Sequence, residues 1–148
     1  MKEITLYTDG SCSKNPGPGG WGAILRYKSY EIELSGGSTE TTNNKMELTG
    51  AIEGLKALKE PCIVSLYTDS RYLCDAFNKG WLKNWVRNCW KKSDKSPVLN
   101  SELWKELLAL TEKHKVTFIW VKGHADNEYN NRCDKMAVAQ TRKYADLL

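Results

Sequence analysis

The tetrapeptide Leu-Tyr-Thr-Asp occurs twice, as Leu6 to Asp9 before Gly10-Ser11 and as Leu66 to Asp69 before Ser70. Each copy alternates aliphatic and polar residues up to its aspartate, the pattern of a strand with an acid at its carboxyl end. Ligands of open α/β sheets bind outside those strand ends, so two such strands, if parallel neighbours, would bring Asp9 and Asp69 together. Glu47 lies one turn before Ala51, at the edge of a helical apolar stripe, and Asp134 opens the last helical pattern. Four such carboxylates repel unless a cation is present. Hard divalent ions with oxygen ligands, Mg2+ or Mn2+, suit them better than zinc, which prefers His and Cys. Two such ions roughly 4 Å apart can activate a water and stabilise the departing oxygen of a phosphodiester. Phosphodiester hydrolysis is the chemistry these residues point to.

Singly, each acid has a plainer explanation. An Asp before Gly or Ser at a strand end is more often a turn former or helix cap, and Asp134 could merely complement a helix dipole. The combination shifts the balance, because the strand-end Asp occurs twice and a basic segment accompanies it. His124, in a loop beside Gly123, is a candidate proton carrier and equally a surface histidine. The five cysteines are scattered and never spaced Cys-x-x-Cys, which fits reduced, buried thiols rather than a disulfide framework or a zinc cage.

Between Ala76 and Asn100 stand Lys79, Lys83, Arg87, Lys91, Lys92 and Lys95 against Asp94 alone, while the remainder holds 16 basic and 17 acidic residues. The whole basic excess of this +4 chain therefore sits in one segment, together with Trp81, Trp85 and Trp90, half of the six tryptophans. Cations interleaved with flat rings suit a sugar-phosphate backbone. A solvated amphipathic helix that buries its tryptophans fits the segment equally well, and at least one of the three is expected to be buried.

The elements that must carry these residues follow from periodicity. Ile4 to Thr8, Trp21 to Tyr27 and Tyr30 to Leu34 read as an antiparallel meander, with Asn15 to Gly20 as a loop and Ser35 to Thr42 as a turn-rich stretch. From Asn43 to Lys59 the period becomes 3.6, with Leu48, Ala51, Ile52, Leu55 and Leu58 on one stripe. A strand over 63–68, a helix over 70–78 capped by Gly80, the basic insertion, a helix over 101–113, a strand over 116–121 and a helix over 131–144 complete the chain. This order predicts an α/β fold, a mixed sheet with an antiparallel edge and helices on both faces. Its 148 residues suit one domain, 41% hydrophobic content excludes global disorder, and no apolar run approaches the ~18 residues of a membrane span. A cytoplasmic protein is expected.

Several segments together resemble the bacterial ribonuclease HI branch of the ribonuclease H family: Thr8-Asp9-Gly10-Ser11-Cys12, Asn15 to Ala23, Thr42-Asn43-Asn44-Lys45-Met46-Glu47-Leu48, Tyr67-Thr68-Asp69-Ser70, Trp120 to His124 and Asn131-Arg132-Cys133-Asp134. The resemblance runs in order over nearly the whole chain. It implies a single ribonuclease H domain over 1–148, a five-stranded mixed sheet flanked by helices on both faces, and a basic handle at about 79–98. It also implies a monomer that cuts the RNA strand of RNA/DNA hybrids with two Mg2+ ions, Mn2+ being a substitute, and leaves 5'-phosphate and 3'-hydroxyl ends. By position, Asp9 would bridge both ions, Glu47 and Asp69 would hold the one that activates water, Asp134 would complete the other, and His124 would assist proton transfer. Cys12 (through its backbone), Asn15, Asn43 and Asn44 would face the minor groove, where 2'-hydroxyls mark the RNA strand. Thr42 and Asn43 would grip a DNA phosphate, with Trp81, Lys83, Trp85, Arg87, Lys91 and Lys92 along the same strand. The chain departs from the family pattern at Arg71, where Gln commonly follows Asp-Ser and which leaves base-edge contacts there open, and in Ala125 to Asn130 after His124.

Three rivals remain on residues alone. A sugar kinase or actin-like ATPase also opens with an Asp-Gly turn but needs two lobes. A hybrid-binding module with a dead centre should lack a carboxylate, and a structural protein leaves the paired strand-end Asp unexplained.

Overall fold

The computed structural model describes residues 1–122 and 127–148. Five strands, β1 (Lys2–Cys12), β2 (Gly17–Tyr27), β3 (Tyr30–Thr41), β4 (Cys62–Thr68) and β5 (Lys115–Trp120), form one sheet in the order β3-β2-β1-β4-β5. The first three make the antiparallel meander, and β4 and β5 add parallel to β1. The helices are α1 (Asn43–Lys56), α2 (Arg71–Asn78), α3 (Trp81–Arg87), α4 (Ser101–Lys113) and α5 (Glu128–Ala145).

Alternation along the strands sorts side chains between two layers. Leu6 and Leu66 face Leu48, Ile52 and Leu55 of α1, and this core continues through Leu73 of α2 and Leu82 of α3 to Trp104 and Leu107 of α4. On the opposite face Tyr7 and Ile24 pack with Cys133 of α5, flanked by Tyr67, Tyr129 and Met136. Fully burying each Leu or Ile stabilises the fold by about 1.5–3 kcal/mol. The strand at the centre of the sheet, β1, is thus sandwiched between α1 and α5, and its far end is fixed from both sides.

Two segments that read as irregular are strand. Gly17 to Gly20 belongs to β2, with Gly20 opposite Ser11 and Gly19 opposite Cys12, and residues 35–41 extend β3 beside it. Local propensity fails here because neighbours press close on the glycines: a Cβ on Gly20 would come within 2.5 Å of the Ala137 carbonyl oxygen of α5, and one on Gly19 within 2.7 Å of the Ser11 carbonyl oxygen. At Gly20 glycine is required by the approach of a helix, not by a turn. α5 also starts earlier than its periodicity predicts, because the Asn127 side chain accepts from the Tyr129 and Asn130 N–H groups and caps it. Asp134 accordingly sits in the second turn. α1 ends at Lys56, short of the predicted Lys59.

None of Trp81, Trp85 and Trp90 is buried, against expectation. Trp85 and Trp90 are half-buried against the core, Trp85 lying 5.4 Å from the fully buried Trp104, and Trp81 is 37% exposed. The rings anchor the insertion, while Lys83, Arg87, Lys91 and Lys92 are exposed. All five cysteines are free; Cys62, Cys74 and Cys133 are buried as expected, Cys12 is half-buried, and Cys89 is exposed. Among the described residues no helix is long and apolar enough to cross a membrane.

Candidate active site

The repeated tetrapeptide pairs with itself. β1 and β4 run parallel with Leu6 opposite Leu66 and Tyr7 opposite Tyr67, so Asp9 and Asp69 each follow the last β1–β4 pair by two residues. Asp69 stands just past its strand as expected, whereas Asp9 does not close β1, which runs on to Cys12 because β2 continues to pair with it, Asp9 lying opposite Gly22. The Tyr7 and Tyr67 rings stack at 5.3 Å, and Tyr129 of α5 stacks on Tyr7 at 4.8 Å. This aromatic ladder ties α5 to the strands two residues below the aspartates.

Glu47 arrives from the other face. A Cβ on Gly10 would lie 2.5 Å from the Glu47 backbone nitrogen, so only glycine at this position lets α1 close on the end of β1. The Gly10 N–H donates to both Asp9 Oδ1 (2.9 Å) and Glu47 Oε1 (3.0 Å). Carboxylate oxygens of Asp9, Glu47 and Asp69 lie within 4.8 Å of one another. Asp134 is outside that tight cluster but lines the same pocket, of about 440 Å³.

Asp9 is 6% exposed and Glu47 3%. Burial, followed by the charges of Glu47 and Asp69 and by the Asp134 carboxyl, pushes the Asp9 carboxyl up to about 10. Burial and then Asp69 raise Glu47 to about 8. Left alone, such a cluster retains protons; a divalent cation would satisfy it instead. The Glu47 Oε2 atom supports that fit, since it is buried without a hydrogen-bond partner. An all-oxygen donor set suits Mg2+ or Mn2+.

Around the pocket, Asn43 and Asn44 open α1, and the Asn43 N–H donates to Asn15 Oδ1 at 2.8 Å. Thr42 caps the helix through the Lys45 N–H. Asn15, Thr42, Asn43 and Asn44 then line a second pocket of about 570 Å³, closed on its far side by Leu99 and Asn100. Cys12 turns its Sγ toward the carbonyls of Ser13, Gly17 and Thr41. Lys83 and Arg87 border a groove between α3 and α4, whereas Lys91 and Lys92 line a different pocket with Lys95. The basic residues thus divide between two surfaces. His124 lies outside the described residues.

Sequence reasoning gave no role to Asn100 or Trp120. Nothing local singles out Asn100, which reaches its pocket from a left-handed turn (φ 60°) before α4. Trp120 carried a signal, an exposed tryptophan at a strand end, yet its partners Asp69 and Arg71 lie about fifty residues earlier.

A family model described as RNase H matches residues 1–142. A ribonuclease H of Caldanaerobacter subterraneus subsp. tengcongensis is 59% identical over 141 residues, 95% of this chain and 92% of that one. Among solved structures, the crystal structure of a type 1 RNase H with the type 2 active-site motif superposes with a TM-score of 0.87 at 27% identity, covering 97% of this chain and 74% of its own. A likeness of fold alone, at 23% identity and a TM-score of 0.70, extends to an RNase H1 crystallised with an RNA/DNA hybrid; it covers 95% of this chain and 97% of that one.

Proposed function

The chain belongs to the ribonuclease H family, and from that premise we propose that it is an endonuclease hydrolysing the RNA strand of RNA/DNA hybrids. The observation that carries this reading is the convergence of Asp9, Glu47 and Asp69, with the Glu47 Oε2 atom left without a partner. Asp9 would lie between two Mg2+ ions, Glu47 and Asp69 would hold one, and Asp134 would complete the other, with Mn2+ as a substitute. Bound there, such ions supply activation of the attacking water and neutralisation of charge on the leaving oxygen. The water oxygen joins phosphorus, the bond from phosphorus to the 3'-oxygen breaks, and 5'-phosphate and 3'-hydroxyl ends result. His124 takes the proton-transfer role on the resemblance alone.

The protein's own residues position the duplex. Thr42 and Asn43 at the N-terminus of α1 offer a hydroxyl and a side-chain amide to a DNA-strand phosphate. Asn15, Asn43, Asn44 and the Cys12 backbone face the groove where 2'-hydroxyls distinguish RNA. Trp81, Lys83, Trp85, Arg87, Lys91 and Lys92 extend the contact along the DNA strand. The single domain works as a monomer in the cytoplasm on this reading.

A hybrid labelled separately on each strand, incubated with and without Mg2+, tests the proposal. Metal-dependent shortening of the RNA strand, with 5'-phosphate ends, is expected. Equal cleavage of a DNA/DNA duplex, or cleavage confined to single-stranded RNA, would overturn it.

A further inference from the structure

Trp120, at the end of β5, touches the carboxylate pocket in two ways at once. Its indole Nε1–H donates to the Asp69 carbonyl oxygen at 3.1 Å. Its ring face carries the Arg71 guanidinium, 3.9 Å from the centroid, the shortest such cation–ring distance among the described residues. Arg71 itself lines the pocket that holds Asp9, Glu47, Asp69 and Asp134. A cation beside four acids would ordinarily pair with one of them. Among the described residues Arg71 forms no salt bridge with them, and its guanidinium stacks on the indole instead.

That arrangement costs the fold something. Arg71 is the first residue of α2, the end at which a positive charge is unfavourable to the helix dipole. A residue that breaks a local rule without a structural return is a candidate for function. Stacking occupies the flat face of a guanidinium and leaves its edge N–H groups free, in the fork geometry that fits phosphate. An exposed Trp (39%) at a strand end has no packing reason to be there other than this platform.

We propose that Trp120 is a positioning residue that holds Arg71 off the carboxylates and aims it at a backbone phosphate of the RNA strand, while its N–H steadies the Asp69 backbone. The inference rests on the hybrid-cleaving reading above. It makes Arg71 a phosphate contact instead of the base-edge contact that the family's commoner Gln would make. The two ends of the indole then have separable effects. The ring face acts on substrate affinity through Arg71; the N–H acts on turnover through Asp69.

The experiment compares the full chain with Arg71→Gln, Trp120→Ala, Trp120→Phe and the double variant Arg71→Gln/Trp120→Ala. Binding of a labelled RNA/DNA hybrid is followed in EDTA over a salt series, and cleavage in Mg2+. Arg71→Gln should weaken binding several-fold and flatten log affinity against log salt by about 0.7–0.9, one phosphate contact. Trp120→Ala should reproduce both changes, and the double variant should be no weaker than either single one. Trp120→Phe keeps a ring but no N–H, so it should retain the salt slope and KM and lower kcat. An unchanged slope in Arg71→Gln, whose exposed side chain is dispensable for folding, overturns the proposal, as do additive losses in the double variant. A wild-type protein that leaves the hybrid intact would instead overturn the ribonuclease reading.

Discussion

Asp9 is buried between two helices, and that burial, followed by the charges of Glu47 and Asp69 and by the Asp134 carboxyl, holds it well above the ordinary carboxylate range. Asp9→Asn removes one charge at constant shape. Losing even an outer partner of a metal ligand typically costs 10- to 100-fold, so this change should lower cleavage by more than about 100-fold. Hybrid binding without metal should survive, because the amide keeps the shape of the protonated carboxyl and adds no charge toward the substrate phosphate. The metal-free protein should also melt a few degrees higher by scanning calorimetry, since at neutral pH the buried Asp9 carboxyl must take up a proton on folding and the Asn amide need not. Wild-type turnover in this variant would remove Asp9 from the proposed metal site. The same scale shows what sequence could deliver: the equivalence of Asp9 and Asp69 was legible in the repeated tetrapeptide, whereas the continuation of β1 past Asp9 to Cys12 and the register that sets the two acids side by side depended on pairing that no local pattern encodes.

Elements meet at two close approaches, and both yield measurable consequences. Gly10→Ala would push its Cβ against the backbone of Glu47 and displace α1 from the end of β1. A misplacement of about 1 Å can cost ~10²-fold in rate, so Gly10→Ala should lose activity out of proportion to its drop in thermal stability. Activity and melting temperature that fall together in Gly10→Ala would show a folding role only. At the junction of α4 and β5, His114 is buried, and its Nδ1 accepts from the Cys62 N–H at 3.0 Å. The ring must therefore be neutral in the folded protein, and burial, helped by Lys113, holds its pKa below the usual value. The unfolded chain binds the proton first, so the stability His114 contributes is present above the unfolded pKa of about 6.5 and is lost as pH falls through the lower folded value. Melting temperature should decline from about pH 7 to pH 5 in wild type and decline less in His114→Asn, whose amide oxygen still accepts from Cys62. Parallel declines would place the acid sensitivity elsewhere.

Across the whole molecule the basic excess and the acidic pocket belong to different parts of one surface chemistry. Replacing Lys83, Arg87, Lys91 and Lys92 together by Ala should raise the hybrid KM and leave kcat nearly unchanged, because uniform binding acts on ground and transition states alike. Every phosphate that no longer meets a cation should flatten the salt dependence of log affinity by up to about 0.9, measured in the same titration. Since Lys83 and Arg87 border one groove and Lys91 and Lys92 another, the two pairs can be removed separately. An unchanged slope in the fourfold variant would leave the segment a solvated face.

Sequence by itself determined the class of fold, the four carboxylates and the uneven charge, because each is written in short-range pattern: period two against period 3.6, an acid at the end of a strand, cations crowded within one segment. Tertiary structure decided the rest. Gly17 to Gly20 became strand because this stretch pairs with β1 and β3, and Gly20 admits the α5 backbone where a side chain would collide with it. Trp85 stopped at half burial because Trp104, from α4, already fills the core beside it, and Trp90 rests against Trp85, 6.4 Å away. Trp120 acquired partners because β5 pairs with β4 and sets Trp120 opposite Thr68, next to Asp69. Each of these outcomes depends on which elements touch, and contact between distant segments is a property of packing that no local stretch of the chain contains.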